Sequence, residues 1–405
     1  MWQARAFGAW QNATTVFYCF QFHSRTFATV SYRFIRKLII VLLALPLLFE
    51  GLCWAFFRYP VEPVTQFSLN NEIPGFQKNV KIATDRHQVR YLDWTEGEKP
   101  AGAVRIFVIG GWATWGLLQN AEDTWWGRMH KGLKDAGLNV QTASRGFERT
   151  GILAMAAGVD SLVERLKPDI LLVNTGFDDV IIHPLTYTYD KDLLSKLPSL
   201  PRDSSFKKTV FSVSQIVRFY RNYKLTGQSN QHQNQWGRSN YFNKYFEGKR
   251  EEISRVQYNS VTRDEEHDPL PEFFDGLKAF AALADRHKAK LVLTGEAALQ
   301  DSTISEELVS QLMAYVPLES PKNSTEVHVT RPNPGWVWRE MRRYATASEK
   351  FATENGIPYF NLNDKVARKK ENFFTDVMLT DAGAAEAASA LLPFMTPIVK
   401  EKSGK

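Results

Sequence analysis

Asp178 and Asp179 stand side by side in GFDDV (Gly176 to Val180), and Asp376 lies within FFTDVMLTDAG (Phe373 to Gly383). Carboxylates gathered from two such segments would serve as an acid and a base, or as hard oxygen ligands for a cation. Plainer duties are commoner: Asp179 capping the segment that follows it, and Asp376 or Thr380 capping the helix that TDAG begins. The glycine-bearing stretches GGWATWG (Gly110 to Gly116) and SRGF (Ser144 to Phe147) are the other candidates. Ser144, next to Arg145, reads as a turn residue rather than a nucleophile. Histidine, the usual general base, is missing from all four stretches; His328 is the nearest before the last of them, and His232 and His267 sit in polar sequence that predicts exposure. Cys19 and Cys53 both precede residue 58, so no later segment can form a disulfide or a thiolate site. No metal or cofactor is expected. Trp112, Trp115, Trp125 and Trp126 could line up as a platform for a sugar ring, although such residues are more often packing.

An ordered framework has to hold these stretches. VRIFVIGG (Val104 to Gly111) is an apolar run ending in glycines, the mark of a buried parallel strand. A helix over TWWGRMHKGLKDAG, a strand LNVQTAS, a helix ILAMAAGVDSLVERL and a third strand DILLVNTG (Asp169 to Gly176) follow. This alternation predicts an α/β fold with a doubly wound parallel sheet, a flavodoxin-like three-layer sandwich. Residues 183–271 break the pattern with prolines and Gln/Asn-rich sequence such as TGQSNQHQNQWGRSN, a large insertion after the third strand. Regularity returns with the helix FFDGLKAFAALADRHKA, the strand KLVLTG (Lys290 to Gly295), the helix WVWREMRRYATASEKFATENG, the strand IPYFNLN and the terminal helix TDAGAAEAASALLPFM. The domain is thus expected over residues 104–396, with 58–103 as linker and N-terminal extension and 397–405 as a tail. Each candidate stretch then falls at the C-terminal end of a strand or the start of a helix, where ligands bind in open α/β sheets.

In order and context the four stretches resemble the blocks of the SGNH/GDSL hydrolase superfamily, and the flanking EDTWWGRM is similar to its membrane-anchored branch. GGWATWG looks like GDSxTxG, SRGF brings Gly146 to the place of the oxyanion-loop glycine, GFDDV resembles GxND, and FFTDVMLTDAG resembles the DxxHLT segment before the last helix. The resemblance implies a serine esterase fold, with Gly110, Gly111, Trp112, Gly146, Gly176, Asp178, Asp179, Thr375 and Met378 forming the former pocket. It also implies a lost mechanism. Trp112 stands at the nucleophilic serine, Gly111 at the preceding Asp, Met378 at the histidine, Thr375 at the Asp that orients it, and Asp178 at the oxyanion-binding Asn. An indole does not attack a carbonyl carbon, a thioether accepts no proton at neutral pH, and a carboxylate repels a developing oxyanion. The expected function is binding or scaffolding without catalysis. The competing expectation is an esterase or acyltransferase acting on acylated glycans through relocated acids, Asp178, Asp179 and Asp376. A third possibility is that the insertion docks a partner and the core only presents it.

The formal charge of +6 is concentrated in residues 1–37, where Arg5, Arg25, Arg33, Arg36 and Lys37 meet no acid before Glu50. Elsewhere the signs are interleaved, which disfavours nucleic acid as a partner. LIIVLLALPLLFEGLCWAFF (Leu38 to Phe57) is apolar on every face and long enough to cross a bilayer as a helix. The basic flank places residues 1–37 in the cytoplasm and the domain outside it, anchored by one uncleaved span in the cell envelope. A leader without acids also resembles a mitochondrial presequence, a minority alternative. Partners expected there are the membrane and an envelope polysaccharide or protein.

Overall fold

Antiparallel pairing begins before the expected domain. The computed structural model describes Val41, Ala44 and Leu45, residues 65–70, 74–77, 79–85, 87–95, 97–147, 150–182, 258–259, 268–314, 316–317 and 329–404. Within these, β1 (Thr65–Asn70) and β2 (Asn79–Thr84) form a hairpin, and β3 (Arg90–Leu92) runs antiparallel to the edge of the main sheet. Much of the segment read as linker and N-terminal extension packs into the fold: Val80, Ile82, Val89 and Arg90 are buried. Asp85 organises this entry. Its Oδ1 accepts the amides of His87 and Val89, and its Oδ2 accepts from Tyr91 and Arg165. The ion pair with Arg165 and these donors outweigh burial and hold the carboxyl below the usual range.

The main sheet consists of β4 (Val104–Gly110), β5 (Val140–Gly146), β6 (Ile170–Thr175), β8 (Lys290–Gly295) and β11 (Tyr359–Asn361), all parallel, with β3 on the β5 edge. Its spatial order is β11-β8-β6-β4-β5-β3. Numbered among themselves along the chain, the parallel strands run 2-1-3-4-5, the flavodoxin-like order whose switch point lies between β4 and β6. A small separate sheet joins β7 (Tyr258–Asn259), β10 (Val329–Pro332) and β9 (Val316–Pro317).

Because side chains alternate along a strand, each face needs its own cover. Phe107, Ile109, Leu171, Val173, Leu291 and Leu293 pack against α3 (Ile152–Leu166), α5 (Leu270–His287) and α7 (Pro334–Glu354). Val104, Ile106, Val108, Ile170, Leu172 and Val292 pack against α2 (Trp125–Asp135) and α8 (Asp381–Ser403). The three-layer sandwich is therefore present, and the predicted elements between residues 104 and 182 fall where they were expected.

Thr380 begins α8 as anticipated, its Oγ1 accepting the Gly383 amide at 3.2 Å. The helix does not stop at Met395. It runs to Ser403, because Ile398 and Val399 are buried, while Pro393 and Pro397 sit on the exposed side where water can take the carbonyls they leave without an amide. Among the described residues α8 is the helix long and apolar enough to cross a membrane, yet Ala384, Ala387, Leu391 and Met395 are buried in the core. The expected span at 38–57 lies outside the described residues except at Val41, Ala44 and Leu45, which are helical, with Val41 51% and Leu45 58% exposed. The insertion lies outside them too, apart from β7 and residues 268–271.

Candidate functional site

Three strand ends meet at the switch point. β4 ends in Gly110 and passes through Gly111 into the short helix α1 (Trp112–Trp115). β6 passes through Gly176, whose φ of +137° favours glycine, into α4 (Phe177–Ile182). β8 ends in Gly295 and is followed by Glu296. A buried polar ladder ties the three together: Asn174 Nδ2 donates to Thr114 Oγ1 at 3.4 Å, and Thr294 Oγ1 donates to Asn174 Oδ1 at 3.1 Å.

The positions matched to nucleophile and base do converge, but as packing. Leu118, Phe374 and Met378 form a buried apolar cluster against which Trp112, Phe76 and Met313 pack. Trp112 also stands edge-on to Trp115, with ring centroids 6.2 Å apart. Thr375 is buried in the turn before Met378 and accepts the Met378 amide through Oγ1 at 3.3 Å. No donor or acceptor suited to activating a hydroxyl is brought to Trp112 by this cluster.

The acids part company. Asp178 turns toward the β4 end, so that a Cβ on Gly111 would stand 2.5 Å from its Oδ2. That close approach accounts for the glycine, since an Asp there would also add a carboxylate beside Asp178. Asp179 was expected to cap the segment that follows it; its Oδ1 accepts the Ile152 amide at 2.8 Å and so caps α3, earlier in the chain. The N-cap of α8 is Thr380, and Asp376 is engaged elsewhere. Its Oδ2 accepts the amides of Met313 and Ala314 at 2.6 and 2.8 Å, and its Oδ1 accepts from Gln300, fixing the loop after α6 (Glu306–Val309). Asp179 and Asp376 thus serve different elements of the fold. Among the described residues no group of three His, Cys, Asp or Glu converges to hold a metal.

Ser144 is not in a turn either. SRG continues β5, with Ser144, Arg145 and Gly146 paired to Val108, Ile109 and Gly110. Gly146 lies against α1: a Cβ there would come within 2.4 to 2.6 Å of the Cβ, Cα and N atoms of Trp115. Gly146→Ala must push backbone away from β5, and we expect a loss of about 1–3 kcal/mol in urea denaturation; a change within the measurement error would contradict this packing. The four tryptophans form no platform, because Trp125 and Trp126 are 1% and 0% exposed and belong to the core. His232, His267 and His328 lie outside the described residues.

Glu296 was not anticipated from sequence. It is 2% exposed, its Oε2 accepts the Phe177 amide at 3.2 Å, and its Oε1 is buried without a hydrogen-bond partner. Burial, reinforced by the charge of Asp179, pushes its carboxyl up to about 8 against the opposing pull of the Phe177 and Ala113 amides. Beside it is a small hollow lined by Thr175, Gly176, Gly295, Met341, Asn361 and Asn363.

Strand order and switch point define a doubly wound α/β domain with its candidate pocket at the ends of β4, β6 and β8. The chain is similar to solved esterase and lipase structures. An acetyl xylan esterase, AlAXEase, aligns at 13% identity over 72% of this chain and 98% of its own, with a TM-score of 0.36. A GDSL-like lipase from Bacteroides thetaiotaomicron aligns at 12% identity over 74% and 88%, TM-score 0.34. A carbohydrate acetylesterase family member from Sinorhizobium meliloti aligns at 12% identity over 75% and 100%, TM-score 0.35. No family model matches the sequence and no curated protein matches it. The fold is accordingly read from this chain's own strand order.

Proposed function

We propose that this chain is a membrane-anchored SGNH/GDSL-hydrolase-like protein of the cell envelope that binds or scaffolds and does not hydrolyse esters. One observation carries the reading: Trp112 and Met378, at the positions that the blocks match to nucleophile and base, share an apolar cluster with Leu118 and Phe374. A general base must lie within hydrogen-bond reach of the proton it removes. Neither side chain offers or accepts such a proton, and Thr375 turns its hydroxyl to backbone. The expectation of relocated acids loses support because Asp179 and Asp376 are engaged in holding α3 and the loop after α6.

Anchoring by residues 38–57 is supported by the apolar run itself and by the exposed, helical Val41 and Leu45. The ligand or partner in this proposal is an envelope polysaccharide or an envelope protein. The experiment pairs two measurements on the full chain. A fluorophosphonate probe, which labels activated serines, is expected to leave the protein unlabelled, and the protein is expected to sediment with membranes and resist extraction by alkaline carbonate. Labelling at a single serine would overturn the loss of catalysis; release by carbonate would overturn the anchor.

A further inference from the structure

α7 shows two different faces near the ends of β6 and β8. Met341 and Ala345 look into the hollow beside Glu296, whose lining contains no cation. Trp338 stands three residues before Met341 and Arg342 three before Ala345, so helical spacing makes them the next positions outward on the same turns. Trp338 is half-buried, and the exposed Arg342 lays its guanidinium over the indole, 5.1 Å from the ring centroid. Arg339, three residues before Arg342, is exposed as well. Other helical arginines are paired: Arg128 with Asp123, Arg165 with Asp85, Arg286 with Asp160, and Arg343 with Asp268 and Glu340. Among the described residues Arg339 and Arg342 form no ion pair. No acid stands three or four residues from either, and Arg343 stands four from Arg339. Like charges at that spacing cost the helix stability, so its own folding does not account for them.

We propose that this face of α7 docks a carboxylated polysaccharide, whose acidic groups are gripped by Arg339 and Arg342 on the rim of the hollow. The Trp338 ring holds the plane of Arg342 in advance, which reduces the entropy lost on binding and leaves the guanidinium fork for a carboxylate. A polyuronate repeats its carboxylate along the chain, and two arginines three residues apart on a helix offer two forks from Cβ atoms about 5–6 Å apart. The hollow itself takes no acid, because its one ionisable lining residue is Glu296. An acidic chain is therefore held at the rim, with only uncharged groups turned inward. This surface selects the polysaccharide from the two partners of the proposed function, and rests on that reading.

Biolayer interferometry tests it, with the full chain in phosphatidylcholine nanodiscs against immobilised polygalacturonate, dextran and phosphatidylglycerol vesicles. Polygalacturonate is expected to bind, more weakly as salt is raised, and the other two are not. Arg342→Gln is expected to weaken binding about tenfold and the double variant Arg339→Gln with Arg342→Gln further, while Arg342→Lys recovers only part of the loss. Lys350→Gln, which removes an exposed cation about two turns further along the same helix, is expected to change nothing. The double variant should unfold at the same denaturant concentration as wild type or a higher one, since a like-charge repulsion is removed. No binding of polygalacturonate, binding unchanged in the double variant, or equal capture by phosphatidylglycerol vesicles would each overturn the proposal. Dextran bound as well as polygalacturonate would also overturn it, yet would leave the wider reading as a polysaccharide binder standing.

Discussion

Arg90→Ala is expected to destabilise the domain by about 3–4 kcal/mol, among the largest effects of any single change outside the hydrophobic core. The guanidinium is 1% exposed and serves three carbonyls: Nη1 donates to Trp115 and Gly116 at 2.8 and 2.9 Å, and Nη2 donates to Gln119 at 2.7 Å. It also lies over the Trp126 ring, 5.8 Å from the centroid. Burial lowers its pKa to about 10, which still leaves it charged at neutral pH. Truncation would strand three carbonyls of the turn that follows α1. Arg90→Lys should recover less than half of the loss, because an ammonium is a point donor and cannot reproduce the fork. Urea denaturation of both variants checks this, and an Arg90→Ala protein within about 0.5 kcal/mol of wild type would show that β3 is not holding the turn.

Restoring the family residues at the nucleophile and base positions is expected to cost stability and give nothing back. Trp112→Ser with Met378→His opens a cavity where the indole packed and places an imidazole among Leu118, Phe374 and Met313. A buried polar ring without a partner and a cavity of this size together cost about 3–5 kcal/mol. The new histidine would have Thr375 where an orienting acid is required, and Asp178 Oδ2 would still face the β4 end. Ester cleavage by the double variant should therefore stay at the buffer rate, with a lowered denaturation midpoint. Saturable turnover in the double variant would mean that only the nucleophile and base had been lost.

How far these features can be read from sequence depends on how local their causes are. The run ILAMAAGVDSLVERL predicts α3, and KLVLTG predicts β8, to the residue, because hydrophobic period and flanking glycines act within each segment. Thr380 is legible for the same reason, as a cap adjacent to its helix. Arg90 is not, since VRYL lies in the stretch read as linker and N-terminal extension until β5 pairs with it and buries its charge over Trp126. Asp179 was legible as a cap but not as the cap of α3, which packing brings to it from earlier in the chain. Glu296 gave no signal, being one acid in TGEAALQ. Its burial and its neighbours come from elements far off in the chain, β6 and β11 on either side of β8 and the turn after β4. The convergence of Trp112 and Met378 was legible only through the resemblance of the blocks.

Hydrolysis by the wild-type protein tests the central claim most directly. Purified protein is predicted to cleave acetyl and longer acyl esters, including acetylated xylo-oligosaccharides, no faster than buffer, with Asp178→Asn and Trp112→Ala indistinguishable from it. Saturable turnover by the wild-type protein that disappears in Asp178→Asn or Trp112→Ala would contradict it.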